Sequence, residues 1–209
     1  MRSVTGEIIT VLVGKRTFYV HQALLASSSQ FFRNVMKPEW RTDRTKPIDL
    51  TDANPQLFTV YSQWLYTKQV APSTEKKIDI RLAKLYVLGE RVMDEDFQNC
   101  ILDAMAARFQ ITQPSIGTIR TIYEGTAATS PARRLVVDMS AFFIKTPEAR
   151  RVQDLDPDSD GEFMMDFIAA LIKYRAQPSC KVAKPWITER HLYRVGTASE
   201  EQHASAMDV

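Results

Sequence analysis

The chain has 209 residues, 44% hydrophobic and 25% charged, an ordinary balance for a globular protein. Its 27 Lys and Arg stand against 25 Asp and Glu, a net charge of +2, and this unclustered near-balance excludes the basic footprint of a nucleic-acid binder. Two cysteines exclude a disulfide framework and favour an intracellular, cytoplasmic or nuclear, setting, and no apolar run approaches the roughly 20 residues that cross a bilayer.

Ile8-Ile-Thr-Val-Leu-Val13 is β-branched and apolar and reads as a strand, too short for the apolar core of a signal peptide. Gly14-Lys15-Arg16 supplies a turn, and Thr17 to Val20 alternates with Phe18 and Val20 on one face, so the two runs form a hairpin. His21 to Ala26 reads as a short helix. The serines that follow are poor inside a helix and good at its start, where a hydroxyl satisfies a free N–H, so a second helix is expected over Gln30 to Met36. Residues 37–46 are polar except for Trp40 and read as a loop, followed by a short strand Ile48-Asp49-Leu50. Asn54-Pro55 is a strong helix start, and Leu57, Phe58, Tyr61, Trp64 and Leu65 mark the stripe of that helix.

Beyond a polar loop at 68–77, apolar residues recur at helical spacing: Leu82, Leu85, Leu88 and Val92, then Phe97, Ile101, Met105 and Phe109. Past Pro114 the pattern is helical only, through Ile116, Ile119 and Ile122, then 135–143, then Phe163, Phe167, Ile168, Leu171 and Ile172. The apolar period fades from about Gln177, and the Ala-, Ser- and Glu-rich end reads as a tail. The order is that of an α+β domain followed by an all-helical extension.

Chemistry-bearing patterns fail one by one. His21 lies near Ser27, Ser28 and Ser29, but no third group orients its ring and no nucleophile elbow is present, so His21 reads as a structural corner. Asp156-Pro-Asp-Ser-Asp-Gly161 matches the opening of a calcium loop, D-x-D-x-D-G. The bidentate glutamate that should close it is replaced by Phe167, with Asp166 one place early. Asp156, Asp158 and Asp160 are therefore only a weak calcium candidate beside the plainer reading, an acidic loop before a helix starting near Glu162, where the macrodipole favours negative charge. Cys100, Cys180, His191 and His203 lack paired ligand spacing, so neither a metal nor a cofactor is expected. With no enzymatic signal left, a protein-interaction module is the expectation.

Val13-Gly14, Phe18 with Val20-His21, Leu24-Leu25-Ala26 and Ser28, Phe31-Phe32, Ile48-Asp49-Leu50, Asp52 with Pro55 and Phe58, and Leu65-Tyr66-Thr67 occur in an order that resembles the BTB/POZ domain. Trp40 in the loop together with Gln63-Trp64-Leu65-Tyr66 is similar to the BTB proteins of filamentous fungi, which commonly carry a helical C-terminal extension. On this resemblance residues 1–111 form the BTB/POZ fold, short strands with a cluster of helices; 112–176 are the helical extension and 177–209 the polar tail.

The resemblance implies function by contact with protein partners, with no nucleic acid or membrane involved. Such domains commonly form homodimers, which makes Ile8, Ile9 and Leu24 candidates for a dimer face. Many serve as adaptors that bind cullin-3 in a ubiquitin ligase, and others recruit corepressors. Ile8 and Gln22 stand where a corepressor-type pocket carries an aspartate and a basic residue, which argues against that pocket. The cullin-contacting motif, a hydrophobic residue followed two places on by Glu, corresponds here to Trp40-Arg41-Thr42, with Asp43 one place beyond the missing glutamate. Trp40 itself has two readings, a ring folded back on the core or an interface anchor. The alternatives to a ligase adaptor are a stand-alone dimerisation or assembly factor without ligase binding and, behind it, a calcium-responsive regulator acting through the Asp156–Asp160 loop.

Overall fold

Alternation along β1 (Ile8–Val13) sends Ile9, Val11 and Val13 to one side, where they are buried. The computed structural model describes residues 6–40, 43, 45–71, 77–109, 112–143 and 154–174. β2 (Arg16–His21) returns antiparallel, with Val13 opposite Arg16 across the two-residue turn Gly14-Lys15. Gly14 has φ +55°, and a Cβ there would lie 2.9 Å from Pro55 Cγ, so both the turn and the close approach require glycine. β3 (Ile48–Leu50) lies parallel on the other side of β1, giving the order β2-β1-β3.

α1 (Gln22–Ser28) and α2 (Gln30–Val35) are separated by Ser29 alone. The Ser29 hydroxyl accepts from Phe32 N at 3.1 Å and donates to the carbonyl of Val92. The serine expected as a cap is therefore also a tie between α2 and a distant turn. α3 (Pro55–Thr67) starts as the sequence predicts, with Asn54 Oδ1 accepting from Gln56 N at 2.8 Å and from Leu57 N. Its buried face continues a ladder of rings from the sheet into the helices. Phe18 meets Phe58 at 4.9 Å, Phe58 meets Tyr61 at 5.7 Å, and both Tyr61 and Trp64 meet Phe97 at 5.0 Å. Edge contacts of this kind add to the apolar area each ring buries.

α4 (Ile78–Arg91) and α5 (Glu95–Phe109) follow, joined by the turn Val92-Met93-Asp94. That turn is a hub. Val92 O takes the Ser29 hydroxyl and Phe31 N, Met93 O takes Gln30 N, and the fully buried Asp94 carboxylate accepts from Tyr61 Oη at 2.8 Å and from Phe97 N at 3.0 Å. Burial raises the Tyr61 hydroxyl pKa above its usual value, so this group stays protonated and donates throughout the accessible pH range.

α6 (Ile116–Gly125), α7 (Pro131–Phe143) and α8 (Pro157–Tyr174) complete the described chain. α6 lies close along α4: a Cβ on Gly117 would sit 2.9 Å from Ile80 Cδ1, and one on Gly125 would sit 2.6 Å from Val87 Cγ2. Thr118 Oγ1 donates to Asp79 Oδ2 at 3.0 Å, and Tyr86 Oη meets Ser130 Oγ at 3.1 Å, so polar as well as apolar contacts join the extension to α4. The described elements belong to one compact unit that ends at Tyr174. Gly125→Val is expected to cost about 1–3 kcal/mol, because the added methyls must displace Val87 in a filled interface. Urea unfolding checks this; a loss below about 0.5 kcal/mol would mean that α6 can move off α4.

Three details differ from the sequence reading. His21 is the last residue of β2, with φ −62° and ψ 128°, rather than the first residue of α1. Phe142, placed in the apolar stripe of α7, is 76% exposed, since α7 turns Ala132, Val136, Val137 and Ala141 inward. Ile168 and Ile172, placed in the stripe of α8, also face outward, while Phe163, Phe167 and Ala170 are buried. In both helices apolar residues exceed one face, and the packing partner selects which ones are covered.

Candidate functional site

The outer face of the sheet carries the residues that alternate with the buried set. Opposite pairs there are Ile8 with His21, Thr10 with Tyr19, and Leu12 with Thr17. Ile8 is 56% exposed and Tyr19 is 71% exposed, which leaves an apolar patch on diagonal neighbours of one face. Of the three dimer candidates, Ile8 lies on this patch, Leu24 is half-buried on α1 against the core, and Ile9 is turned inward at 3% exposure. Tyr19 joins the patch without having been singled out from the sequence. The signal was present, since Phe18 and Val20 facing in place Tyr19 facing out.

His21 is held at the edge of this face. Its Nδ1 lies 2.8 Å from Tyr66 Oη, its backbone N–H donates to the same oxygen, and the rings meet edge to face at 5.8 Å. This clamps the end of β2 to the end of α3, a structural role. None of the three serine hydroxyls pairs with the ring: Ser29 is fully buried and bonded to Phe32 and Val92, Ser27 donates to Leu24 O, and Ser28 accepts from Lys68 Nζ.

The second surface is the loop that leaves α2. Trp40 is 78% exposed, with its backbone N–H donating to Lys37 O at 3.0 Å. The ring is not folded onto the core. Asp43 accepts from Thr45 Oγ1 at 2.6 Å and from Thr45 N at 2.9 Å, and these bonds, the hydroxyl's first, hold its pKa below the usual carboxylate value. Its carboxylate is thus engaged in its own turn. Arg41 and Thr42 lie outside the described residues.

A scan of protein-family models matches residues 9–98 to the BTB/POZ domain. Residues 9–98 are a BTB/POZ domain. The match begins at the second residue of β1 and ends inside α5, so β2, β3 and α1 to α4 lie within it, and β1 does apart from Ile8. The BTB/POZ domain is a protein-interaction module, and the two exposed surfaces above both belong to it. Among the described residues, no helix is long and apolar enough to cross a membrane.

Outside the BTB domain, the Asp156–Gly161 stretch is not a loop. α8 starts at Pro157, earlier than the start expected near Glu162, because Asp156 acts as its cap: Asp156 Oδ1 accepts from Asp158 N, Oδ2 from Ser159 Oγ, and its carbonyl from Asp160 N. Asp160 is buried and bound bidentately by Arg120, at 2.9 Å and 2.8 Å, while also accepting from Asp156 N. Gly161 lies within the helix with open space around it, whereas a calcium loop uses glycine there for a sharp turn. Among the described residues, no group of three or more His, Cys, Asp or Glu is placed to hold a metal ion.

The Arg120 guanidinium holds the Asp160 carboxyl below the ordinary carboxylate value. Because the folded pKa is depressed, the stabilisation is complete above the unfolded value of about 3.9 and is lost as pH falls through the folded pKa. Asp160→Asn is expected to melt below the wild type at neutral pH, with the gap closing in acid below about pH 4. Thermal melts followed by circular dichroism read this, and a gap that stays constant down to pH 2 would show that the carboxylate charge is not what stabilises.

Proposed function

We propose that this chain is an intracellular, non-enzymatic BTB adaptor that dimerises through the outer face of β1, β2 and α1 and presents the Trp40 loop to a cullin-3 scaffold. The observation that carries it is the 78% exposure of Trp40 in the loop that leaves α2, a helix that Ser29 ties to the α4–α5 turn. A large exposed aromatic in a turn that follows a well-anchored helix is an interface anchor in form, and tryptophan is enriched at hot spots. Ile8 and Tyr19 support the dimer in the same way, as apolar side chains left uncovered on one face of the sheet.

Calorimetry against the N-terminal domain of cullin-3 tests the reading. Binding in the micromolar range or tighter is expected, and Trp40→Ala is expected to weaken it by about 30-fold or more, a loss of about 2 kcal/mol. The same substitution should leave the melting temperature unchanged, because an exposed ring supports little of the fold. A folded sample that does not bind would favour the alternative, a stand-alone dimerisation module; sedimentation with Ile8→Asp, expected to shift dimer to monomer, checks that part separately.

A further inference from the structure

The BTB domain holds a groove away from both surfaces discussed so far. It runs along α3 against the N-terminal half of α4, with α5 closing one end, and has two adjoining lobes that share Val60, Gln63 and Arg81: one of about 870 Å³ toward the C-terminal half of α3 and one of about 700 Å³ toward its N-terminal half. The larger lobe has an apolar floor of Val60, Val70, Ile78, Leu82 and Leu85. The charged residues along the two lobes are Arg16, Lys77, Arg81, Lys84 and Arg108, and none of the described lining residues is acidic. Two carboxylates adjoin the lining in sequence: Asp79 is bonded to Thr118 of α6, and Asp103, beside Ala104, is exposed on α5. Arg108 Nε is shielded from solvent and has no hydrogen-bond partner among the described residues.

We propose that this groove is a docking site for a short acidic peptide segment of a partner protein, bound through two or more apolar side chains with carboxylates on its flanks. Apolar side chains would fill the floor, and carboxylates would answer Lys77, Lys84 and the other cations of the described rim. Charge complementarity of this kind selects partners and speeds encounter. A peptide fits better than a fatty acid, because the cations extend over both lobes and one headgroup meets only one place. Amides at Gln56, Gln63 and Gln69 along the lining suit the backbone of an extended or helical peptide. A nucleic acid would leave the apolar floor unused. The proposal does not depend on the Trp40 reading, since it uses other residues of the domain.

The test is selection of a displayed library of random short peptides on the full chain, followed by fluorescence anisotropy with the synthesised winners. Enriched sequences are expected to be net acidic with at least two large apolar residues, and their affinity is expected to fall with added salt. The double reversal Lys77→Glu with Lys84→Glu, at two exposed positions, is expected to weaken them about tenfold or more, with melting unchanged. Val70→Ser on the floor should weaken them as well, while Trp40→Ala should not. Enrichment of neutral or basic peptides, binding that survives the charge reversal, or no enrichment at all would overturn the proposal. So would saturable binding of oleate or of an oligonucleotide that the double reversal abolishes, which would reassign the groove to a lipid or a nucleic acid.

Discussion

Asp94→Ala is expected to lower the unfolding free energy by about 2–4 kcal/mol, through a buried carboxylate that both caps a helix and accepts a buried hydroxyl. Two contributions make up that range. Asp94 is the N-cap of α5, accepting from Phe97 N, and loss of such a cap costs about 1 kcal/mol. It also accepts the Tyr61 hydroxyl at 2.8 Å, and a buried donor that loses its acceptor costs about 1–3 kcal/mol more. Since Tyr61 sits at the centre of the ring ladder at 0% exposure, water cannot replace the lost acceptor without disturbing Phe58, Trp64 and Phe97. The melting temperature should fall by roughly 5–15 °C. Asp94→Asn keeps a capping oxygen and should lose much less, and a double-mutant cycle with Tyr61→Phe should show a coupling of about 1 kcal/mol or more. A loss below about 1 kcal/mol for Asp94→Ala would mean that the turn repacks around the missing carboxylate.

Arg133→Ala is expected to cost about 3 kcal/mol and to loosen the extension before the BTB domain. The side chain is buried, and its guanidinium donates to the carbonyls of Tyr123 at 2.7 Å and Thr126 at 2.6 Å, to Thr126 Oγ1 and to Glu162, while lying over the Tyr123 ring at 4.5 Å. It therefore closes the C-terminal end of α6, where the carbonyls lack helical partners and the macrodipole favours a cation. The pairing with Glu162 contributes little, because that carboxylate is 75% exposed, and Glu162→Ala should cost less than about 1 kcal/mol. Arg133→Lys should rescue only part of the loss, since one ammonium cannot reproduce a planar fork. Hydrogen exchange should show the amides of α6 and α7 opening faster while β1 stays protected. Equal losses for Arg133→Ala and Glu162→Ala would mean that the ion pair, not the capping, matters.

The residues that carry the family pattern are mostly those whose position follows from short-range rules. Gly14 is where a tight turn needs positive φ, Asn54-Pro55 is where a helix must start, and Phe58, Tyr61, Trp64 and Leu65 are spaced for one helical face. For this reason the α+β order and every described helix were legible before any coordinates. The Trp40 loop was legible as a place but not as a state, because a tryptophan among polar residues is equally compatible with a ring on the core and a ring in solvent.

Asp94 escaped notice for a different reason. A single acidic residue between two apolar helical runs looks like a solvated turn, and nothing local reveals a tyrosine 33 positions earlier that donates to it. Arg133 and Asp160 share this character. Each is an ordinary surface charge in sequence, and each is buried by a partner that comes from another helix. The Asp156–Gly161 stretch followed the same logic in reverse. Its spacing of carboxylates suggested an ion, and it was Arg120, contributed by α6, that took Asp160.

Local chemistry thus placed the turns, the caps and the apolar faces, since those depend on φ, on free N–H groups and on the helical and strand periods of the chain itself. The assignment of α8's surplus apolar residues, the burial of Asp94 and Arg133, and the cation-lined groove between α3 and α4 depend on which elements meet. Contacts between residues far apart in the chain leave no periodic trace in it, and their stabilisation appears only once both partners are desolvated together.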